Sequence, residues 1–108
     1  MNVVSIIQAR MTSSRLPGKV LLPLGKRTVL EQVVRRTQQF SEQVVVCTSI
    51  DSDDDPIAEH CERTGVLCVR GSLDNVFLRY RDVLTHPEVV ETPWFARVTA
   101  DSPLVSPV

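Results

Sequence analysis

The hydrophobic positions of this chain form short continuous runs, separated by longer segments in which apolar residues recur at helical spacing. The runs are Val3 to Gln8, Val44 to Cys47, Val66 to Val69 and Trp94 to Val98. A continuous apolar run, unlike an alternating one, is typical of a strand buried on both faces of a parallel sheet. We therefore predict four short parallel strands.

Two helices with clear boundaries are predicted between the first three strands. The first begins at a capping box formed by Thr28 and Glu31. The second follows the acidic run Asp51 to Asp55, has Pro56 in its first turn and ends at Gly65. The apolar stripe of the first helix consists of Val29, Leu30, Val33, Val34 and Phe40.

A third helix is predicted from about Asp74 to Thr85. Its apolar residues are expected to face the core, and Arg79 is expected to be available to solvent or ligand. The inward positions are Val76, Phe77, Tyr80, Val83 and Leu84.

The alternation of strands and helices predicts an α/β fold, with a mainly parallel sheet between two helical layers in an α/β/α sandwich. A chain of 108 residues fits one domain, which we place at 1–108. Ligands of such folds bind beyond the carboxyl ends of the strands. The segment after the first strand, the Thr48 to Asp55 loop and the Thr99 to Pro103 loop should converge there.

Composition narrows the kind of ligand. Five cations and no carboxylate occur in the first 27 residues, although the net charge is only -1. These cations are interspersed with Leu, Pro and Gly rather than clustered with aromatic residues, which disfavours a nucleic-acid partner. A small, multiply charged anion fits better.

Other features set the expected compartment. No apolar run approaches the roughly 20 residues that a membrane span requires, and the amino terminus has no basic leader, so we expect a cytoplasmic protein without a membrane partner. The three cysteines, Cys47, Cys61 and Cys68, form no C-x-x-C pair and are expected to be reduced core thiols.

The segment Ala9 to Lys19 is about twice as long as a usual strand-to-helix loop. Arg10 and Arg15 offer forked donors and Lys19 a compact charge, and all three suit a triphosphate. Spacing alone leaves open that these are solvated loop cations. The segment is neither a Walker A loop nor a dinucleotide fingerprint, since Gly18 is its only glycine.

The run IIQARMTSSRLPGK at 6–19, continued by LPLGK at 22–26, resembles the amino-terminal signature of cytidylyltransferases that make CMP-activated acidic sugars, especially the spore-coat polysaccharide branch. Later blocks in the same order extend the resemblance over essentially the whole chain. These blocks are CTS at 47–49, DDPIA at 54–58, RGS at 70–72, DNV at 74–76, RY at 79–80 and RVTADSPL at 97–104.

The resemblance implies a nucleotide-diphosphosugar transferase fold of the glycosyltransferase-A-like kind, of which this chain is the amino-terminal part. It implies binding of CTP and Mg²⁺ and transfer of CMP to a sugar, with release of pyrophosphate. Arg10 and Lys19 would be catalytic, and Asp101 would hold the metal. The residues implied at the nucleotide are Gln8, Ala9, Arg10, Ser14, Arg15, Lys19, Asp74 and Arg79.

Several residues have simpler interpretations. Asp101 could be a turn residue before Ser102-Pro103, and Asp74 could be a helix cap. The Asp51 to Asp55 run could bind metal, or could merely begin a helix. His60 and His86 are given no catalytic role, and Phe95 is expected in the core, together with Trp94.

Two other functions remain open. A glycosyltransferase of the same architecture would usually carry an Asp-x-Asp motif, whereas Thr99 to Ser102 contains one acid. A non-catalytic nucleotide-binding module is the second alternative. Relatives build the acceptor pocket and most of the contact of a homodimer from sequence beyond Val108, so we expect this chain alone to bind nucleotide weakly and turn over poorly.

Overall fold

The computed structural model describes residues 3–12, 18–72, 75–89 and 95–99. Within them, four parallel strands form one sheet in the order β5-β4-β1-β6. The strands are β1 (Val4–Gln8), β4 (Gln43–Ser49), β5 (Leu67–Gly71) and β6 (Phe95–Thr99), and a short antiparallel pair comprises β2 (Pro23–Leu24) and β3 (Arg27–Thr28). The helices are α1 (Val29–Gln38), α2 (Asp55–Thr64) and α3 (Val76–Leu84).

The helices lie on both faces of the sheet, which confirms the predicted α/β architecture. On one face, Ile7 and Val46 pack with Leu30 of α1 and Ile57 of α2. The other face carries a second apolar cluster, which includes Val83 of α3. The strands of this second cluster contribute Val4, Ile6, Val45, Cys47 and Val69.

The predicted helix boundaries have clear physical causes. The Thr28 hydroxyl accepts the Glu31 N–H at 3.1 Å and so caps α1. Pro56 lies in the first turn of α2, and Gly65 ends that helix in the left-handed conformation at φ 78°. Asn75 caps α3 by accepting the Leu78 N–H at 3.2 Å. Asp74, the predicted cap, lies outside the described residues.

Three predictions of exposure are wrong. Arg79 is buried, at 2% exposure, whereas Leu84 is 44% exposed and Phe95 46% exposed. Among the α3 side chains that the structure describes, Arg79 and Val83 are buried, and they share a face because they are four residues apart. Phe95 is exposed because β6 is an edge strand among the described residues.

All three thiols are free, and Cys47 and Cys61 are buried as predicted, whereas Cys68 is partly buried against the first apolar cluster. The β2–β3 pair, turned at Gly25, was not predicted. Within the described part of the chain, no helix has the length and apolar character needed to cross a membrane.

Candidate nucleotide site

The candidate site lies where β1 and β4 end. The Ala9 N–H donates to the Cys47 carbonyl at 3.0 Å and extends the strand pairing by one residue, so Ala9 is buried. From Arg10 onward the chain leaves the sheet. Arg10 is therefore placed at the carboxyl edge, where ligands of parallel α/β sheets bind.

The loop that begins at Arg10 is closed at its base by a backbone hydrogen bond. The Gly18 N–H donates to the Met11 carbonyl at 2.7 Å. Gly18 has φ 78°, a left-handed conformation that glycine adopts without strain. Lys19 follows at once and begins a short 3-10 turn, Lys19–Leu21. Arg10 and Lys19 are thereby held at the two ends of one closed loop.

A buried carboxylate, that of Asp54, is hydrogen-bonded to this loop from the protein interior. It is fully buried at the junction between β4 and α2. Its Oδ1 accepts the Met11 N–H at 2.8 Å, and its Oδ2 pairs with Arg10 Nε at 3.3 Å. The Ser49 hydroxyl also donates to Oδ2. Both oxygens are therefore occupied by donors from the loop and from the end of β4.

The protonation of Asp54 reflects these donors. Burial on its own would raise the pKa of this carboxyl. The hydrogen bonds from Met11, Ser49 and Arg10, together with the Arg10 charge, outweigh burial and lower the pKa below its ordinary value. Asp54 is consequently an anion at neutral pH.

The Arg10 side chain is only partly covered, at 21% exposure. Its Nε contacts Asp54, and its Nη2 donates to the Thr12 hydroxyl at 3.0 Å. A guanidinium has five N–H donors, and these two contacts with described residues use two of them. Arg10 can therefore keep both contacts and still bind an anion in a forked geometry.

Gln8 has a defined orientation on the α3 side of the sheet. The Tyr80 hydroxyl donates to Gln8 Oε1 at 3.0 Å. The Arg97 guanidinium lies 5.8 Å from the centre of the Tyr80 ring, within cation–π range. Burial raises the pKa of the Tyr80 hydroxyl, against the opposing Arg97 charge. The Gln8 carboxamide is therefore held in place by a neutral phenol.

Arg79 is buried on α3, beside the end of β5. Its Nη1 donates to the Ser72 carbonyl at 2.7 Å. Burial raises the pKa of the neighbouring Cys47 thiol to about 11, although the Arg79 charge opposes the shift. The closeness of α3 to β5 is evident at Gly71, where an added Cβ would lie 2.6 Å from Asp82 Oδ2. The predicted role of Arg79 at a nucleotide stays a prediction.

Carboxylates of the acidic run have partners within the protein. Asp51 accepts the Asp53 N–H at 2.8 Å, and Asp55 pairs with Arg70 at 2.8 Å. Residues 3–12, 18–72, 75–89 and 95–99 contain no group of three or more His, Cys, Asp or Glu side chains suited to a metal ion. The predicted metal ligand, Asp101, lies outside the described residues.

His60 is buried between α2 and the start of α1. It is 3% exposed, and its Nε2 lies 3.3 Å from the Thr28 hydroxyl and 3.7 Å from Glu31. Its Nδ1 lies 3.2 Å from Arg63 Nη2. His60 therefore connects α2 to the start of α1.

Of the predicted site residues, the structure brings Gln8, Ala9, Arg10 and Lys19 to the end of β1. It buries Arg79 on α3, next to the end of β5. Ser14, Arg15 and Asp74 lie outside the described residues. Sequence analysis missed Asp54 as a loop contact and Tyr80 as the partner of Gln8. The available signal was that both residues stand in the blocks DDPIA and RY.

A parallel α/β sheet with cations in the loop after its first strand is the class of fold that binds ligands beyond the carboxyl ends of its strands. Residues 4–108 match the family model described as cytidylyltransferase. The chain belongs to the cytidylyltransferase family.

Individual relatives agree with this assignment. The chain is 38% identical to the spore coat polysaccharide biosynthesis protein SpsF of Bacillus subtilis, over 98% of this chain and 45% of that protein. A cytidylyltransferase structure from Leptospira borgpetersenii superposes with a TM-score of 0.83 at 38% identity, covering 99% of this chain and 44% of that one. A CMP:2-keto-3-deoxy-manno-octonic acid synthetase complexed with CTP gives 0.79 at 26% identity, covering 99% and 43%. This chain thus spans less than half the length of these relatives.

Proposed function

We propose that this chain is the nucleotide-binding part of an enzyme that transfers CMP from CTP to a sugar and releases pyrophosphate. The observation that supports it is the closed loop from Arg10 to Lys19. The Met11–Gly18 hydrogen bond holds one forked cation and one compact cation at the end of β1. The choice of CTP as the nucleotide rests on membership of the cytidylyltransferase family.

Nucleotidyl transfer depends mainly on positioning and on neutralising phosphate charge. In our proposal Arg10 and Lys19 bind the phosphates as the charge develops, with Arg15 and the Ser14 hydroxyl on the same loop. Gln8 and Ala9 border the nucleotide, and Asp74 and Arg79 stand near it. Asp101 supplies a carboxylate to Mg²⁺, which proteins commonly hold through one or two carboxylates plus substrate phosphates.

The acceptor in this proposal is an acidic or related sugar used in polysaccharide or cell-surface glycan synthesis. Two relatives support it: one is named for spore coat polysaccharide biosynthesis, and the other is a synthetase for CMP-2-keto-3-deoxy-manno-octonic acid. A cytoplasmic homodimer is the assembly we propose for the whole enzyme.

Calorimetric titration tests the nucleotide part of the proposal. CTP, UTP, ATP and GTP are compared with and without Mg²⁺ on the wild type, Lys19→Ala and Asp101→Asn. We expect preference for CTP, about tenfold weaker binding after Lys19→Ala because a charge-assisted contact is lost, and loss of the Mg²⁺ dependence after Asp101→Asn. Lys26→Ala removes a cation from the exposed β2–β3 turn and is the matched control.

Pyrophosphate release tests the reaction. The product of the complete reading frame is incubated with CTP, Mg²⁺ and a 2-keto-3-deoxy sugar acid. Release that requires both CTP and the sugar supports nucleotidyl transfer. Binding of intact sugar nucleotides without release would favour the glycosyltransferase alternative, and binding of CTP without turnover would favour the non-catalytic module.

A further inference from the structure

The buried carboxylate of Asp54 is more extensively bonded to the loop than a helix start requires. α2 begins at Asp55, and the Asp54 side chain makes no capping hydrogen bond to that helix. Instead its two oxygens contact Met11 and Arg10, which are 43 and 44 residues earlier in the chain. A fully buried anion is costly unless it is paired and hydrogen-bonded, and here the partners belong to the loop.

We propose that Asp54 is the positioning residue of the nucleotide site, an inference that rests on the proposed function. It acts through two groups. It holds the Nε side of the Arg10 guanidinium, and it holds the Met11 N–H while the Met11 carbonyl accepts from Gly18. Fixing Met11 thus fixes both ends of the loop.

The charge of Asp54 partly offsets that of Arg10, but the carboxylate is buried and pairs with only the Nε side of the guanidinium. Asp54 is fully buried, whereas Arg10 is partly exposed, so the cation lies between the carboxylate and solvent. A carboxylate that occupies one edge of a guanidinium orients its remaining donors and limits the rotamers that must be ordered when an anion binds. Asp54 therefore lowers the entropic cost of binding the triphosphate.

Ser49 gives Asp54 its own orientation. Its hydroxyl donates to Asp54 Oδ2 and accepts the Asp51 N–H at 3.2 Å. Ser49 is the last residue of β4, and the hydrogen bonds that its hydroxyl makes to described residues go to Asp54 and Asp51. Loss of the Ser49 hydroxyl removes one donor from the oxygen that also pairs with Arg10, so it should weaken the positioning of Arg10, by less than loss of the Asp54 charge does.

The test compares affinities for CTP and CMP, measured by calorimetry on the product of the complete reading frame. Asp54→Asn keeps the size of the side chain but removes its charge. We expect CTP affinity to fall about tenfold and CMP affinity to change less than about twofold, because CMP presents one phosphate to the loop cations instead of three. Asp53→Asn, an exposed neighbour, should leave the CTP-to-CMP ratio unchanged. Ser49→Ala should lower the ratio in the same direction as Asp54→Asn, by a smaller factor.

A double-mutant cycle with Arg10→Ala identifies the route of the effect. In that background Asp54→Asn should change the ratio no further, because the residue through which it acts is gone. If Asp54→Asn does not fold, Asp54→Glu keeps the charge, displaces the carboxylate and should lower the ratio in the same direction. An equal loss for CTP and CMP in the folded variants would overturn the inference and leave the proposed function intact. A wild type that binds no CTP would overturn both.

Discussion

Four aspartates stand within five residues at the end of β4, and the fold gives each a different environment. Asp51 caps the backbone N–H of Asp53, whose own side chain is exposed, and Asp55 pairs with Arg70. Only Asp54 turns inward and meets the loop. Chemically identical residues therefore have separable roles, so single substitutions in this run should have different consequences.

The acid sensitivity of the fold should depend on Asp54. Its pKa is lowered in the folded state, so its contribution to stability is complete above the unfolded pKa of roughly 3.9 and is lost as pH falls through the folded value. We expect Asp54→Asn to cost about 2 kcal/mol at pH 7, the scale of hydrogen bonds to a charged group, and to weaken the loss of stability below pH 4. Urea unfolding between pH 3 and pH 7 measures both effects. Asp53→Asn is the control, and an unchanged acid response in Asp54→Asn would contradict the prediction.

Gly18 should tolerate few side chains. At φ 78° an L-residue costs about 1–2 kcal/mol, although an added Cβ would meet only Met11 Cε at 3.5 Å. We expect Gly18→Ala to lower the free energy of unfolding by that amount, and Gly18→Asn to cost less because Asn adopts this conformation more readily. Chemical denaturation compares the two. Equal losses for Ala and Asn would mean that space, not backbone conformation, decides.

The site residues differ in whether the local sequence is enough to predict them. Arg10 and Lys19 could be predicted because they follow a buried strand in a loop of unusual length. The contact of Asp54 with the loop could not be predicted, because all the aspartates of the run are equally consistent with a helix start. Only the packing of the folded chain decides which carboxylate is buried against the loop. Tyr80 was predicted to face the core from its helical spacing, and it packs against the second apolar cluster, but its hydrogen bond to Gln8 was not predicted.

Among the elements, α1 and α2 are joined by a polar contact inside their interface. His60 of α2 lies between Glu31 of α1 and Arg63 of its own helix, with the Thr28 hydroxyl close by. Burial lowers the pKa of His60, Glu31 opposes the shift and Arg63 adds to it. The interface therefore prefers a neutral imidazole.

This preference predicts a second pH effect on stability. The pKa of His60 is lower in the folded state than in the unfolded chain, so the unfolded chain binds the proton first as pH falls. The folded state therefore loses stability as pH falls from the unfolded pKa of roughly 6.5 toward the folded pKa. We expect His60→Gln to remove this slope between pH 7 and pH 5, at some cost in stability at pH 7. His86→Gln, outside the helix interface, is the matched control. A slope that persists in His60→Gln but disappears in His86→Gln would show that the wrong histidine was assigned.

The elements predicted best are those with local start and stop signals. Thr28, Pro56 and Gly65 define α1 and α2 within the chain itself, and the four strands follow from their continuous apolar runs. The inward face of α3 was predicted less well, because it depends on the close approach at Gly71 and on burial of Arg79, neither of which is a local property. The β2–β3 pair has only two residues in each strand, too few to produce a hydrophobic pattern.

At the scale of the whole molecule, charge is distributed unevenly around the sheet. The first 27 residues contain five cations and no carboxylate, yet the fold brings Asp54 to Arg10 from elsewhere in the chain. The cationic end is therefore partly neutralised from inside the protein. Anion binding there should weaken with ionic strength, since partly exposed cations such as Arg10 are screened by salt.

Nucleotide binding should stabilise the entire domain, because the candidate site joins β1, β4 and the start of α2. A ligand at 100 times its dissociation constant stabilises the folded state by about 2.7 kcal/mol, which raises the melting midpoint of a domain of this size by roughly 10 °C. We expect such a shift with CTP and Mg²⁺, a smaller one with CMP, and a reduced CTP shift in Lys19→Ala at the same concentration. Thermal melts at low and high salt measure it, with Lys26→Ala expected to match the wild type. Equal shifts with CTP and inorganic triphosphate would mean that the closed loop recognises phosphate without the nucleoside, and the assignment of Gln8 and Ala9 to the nucleotide would then fail.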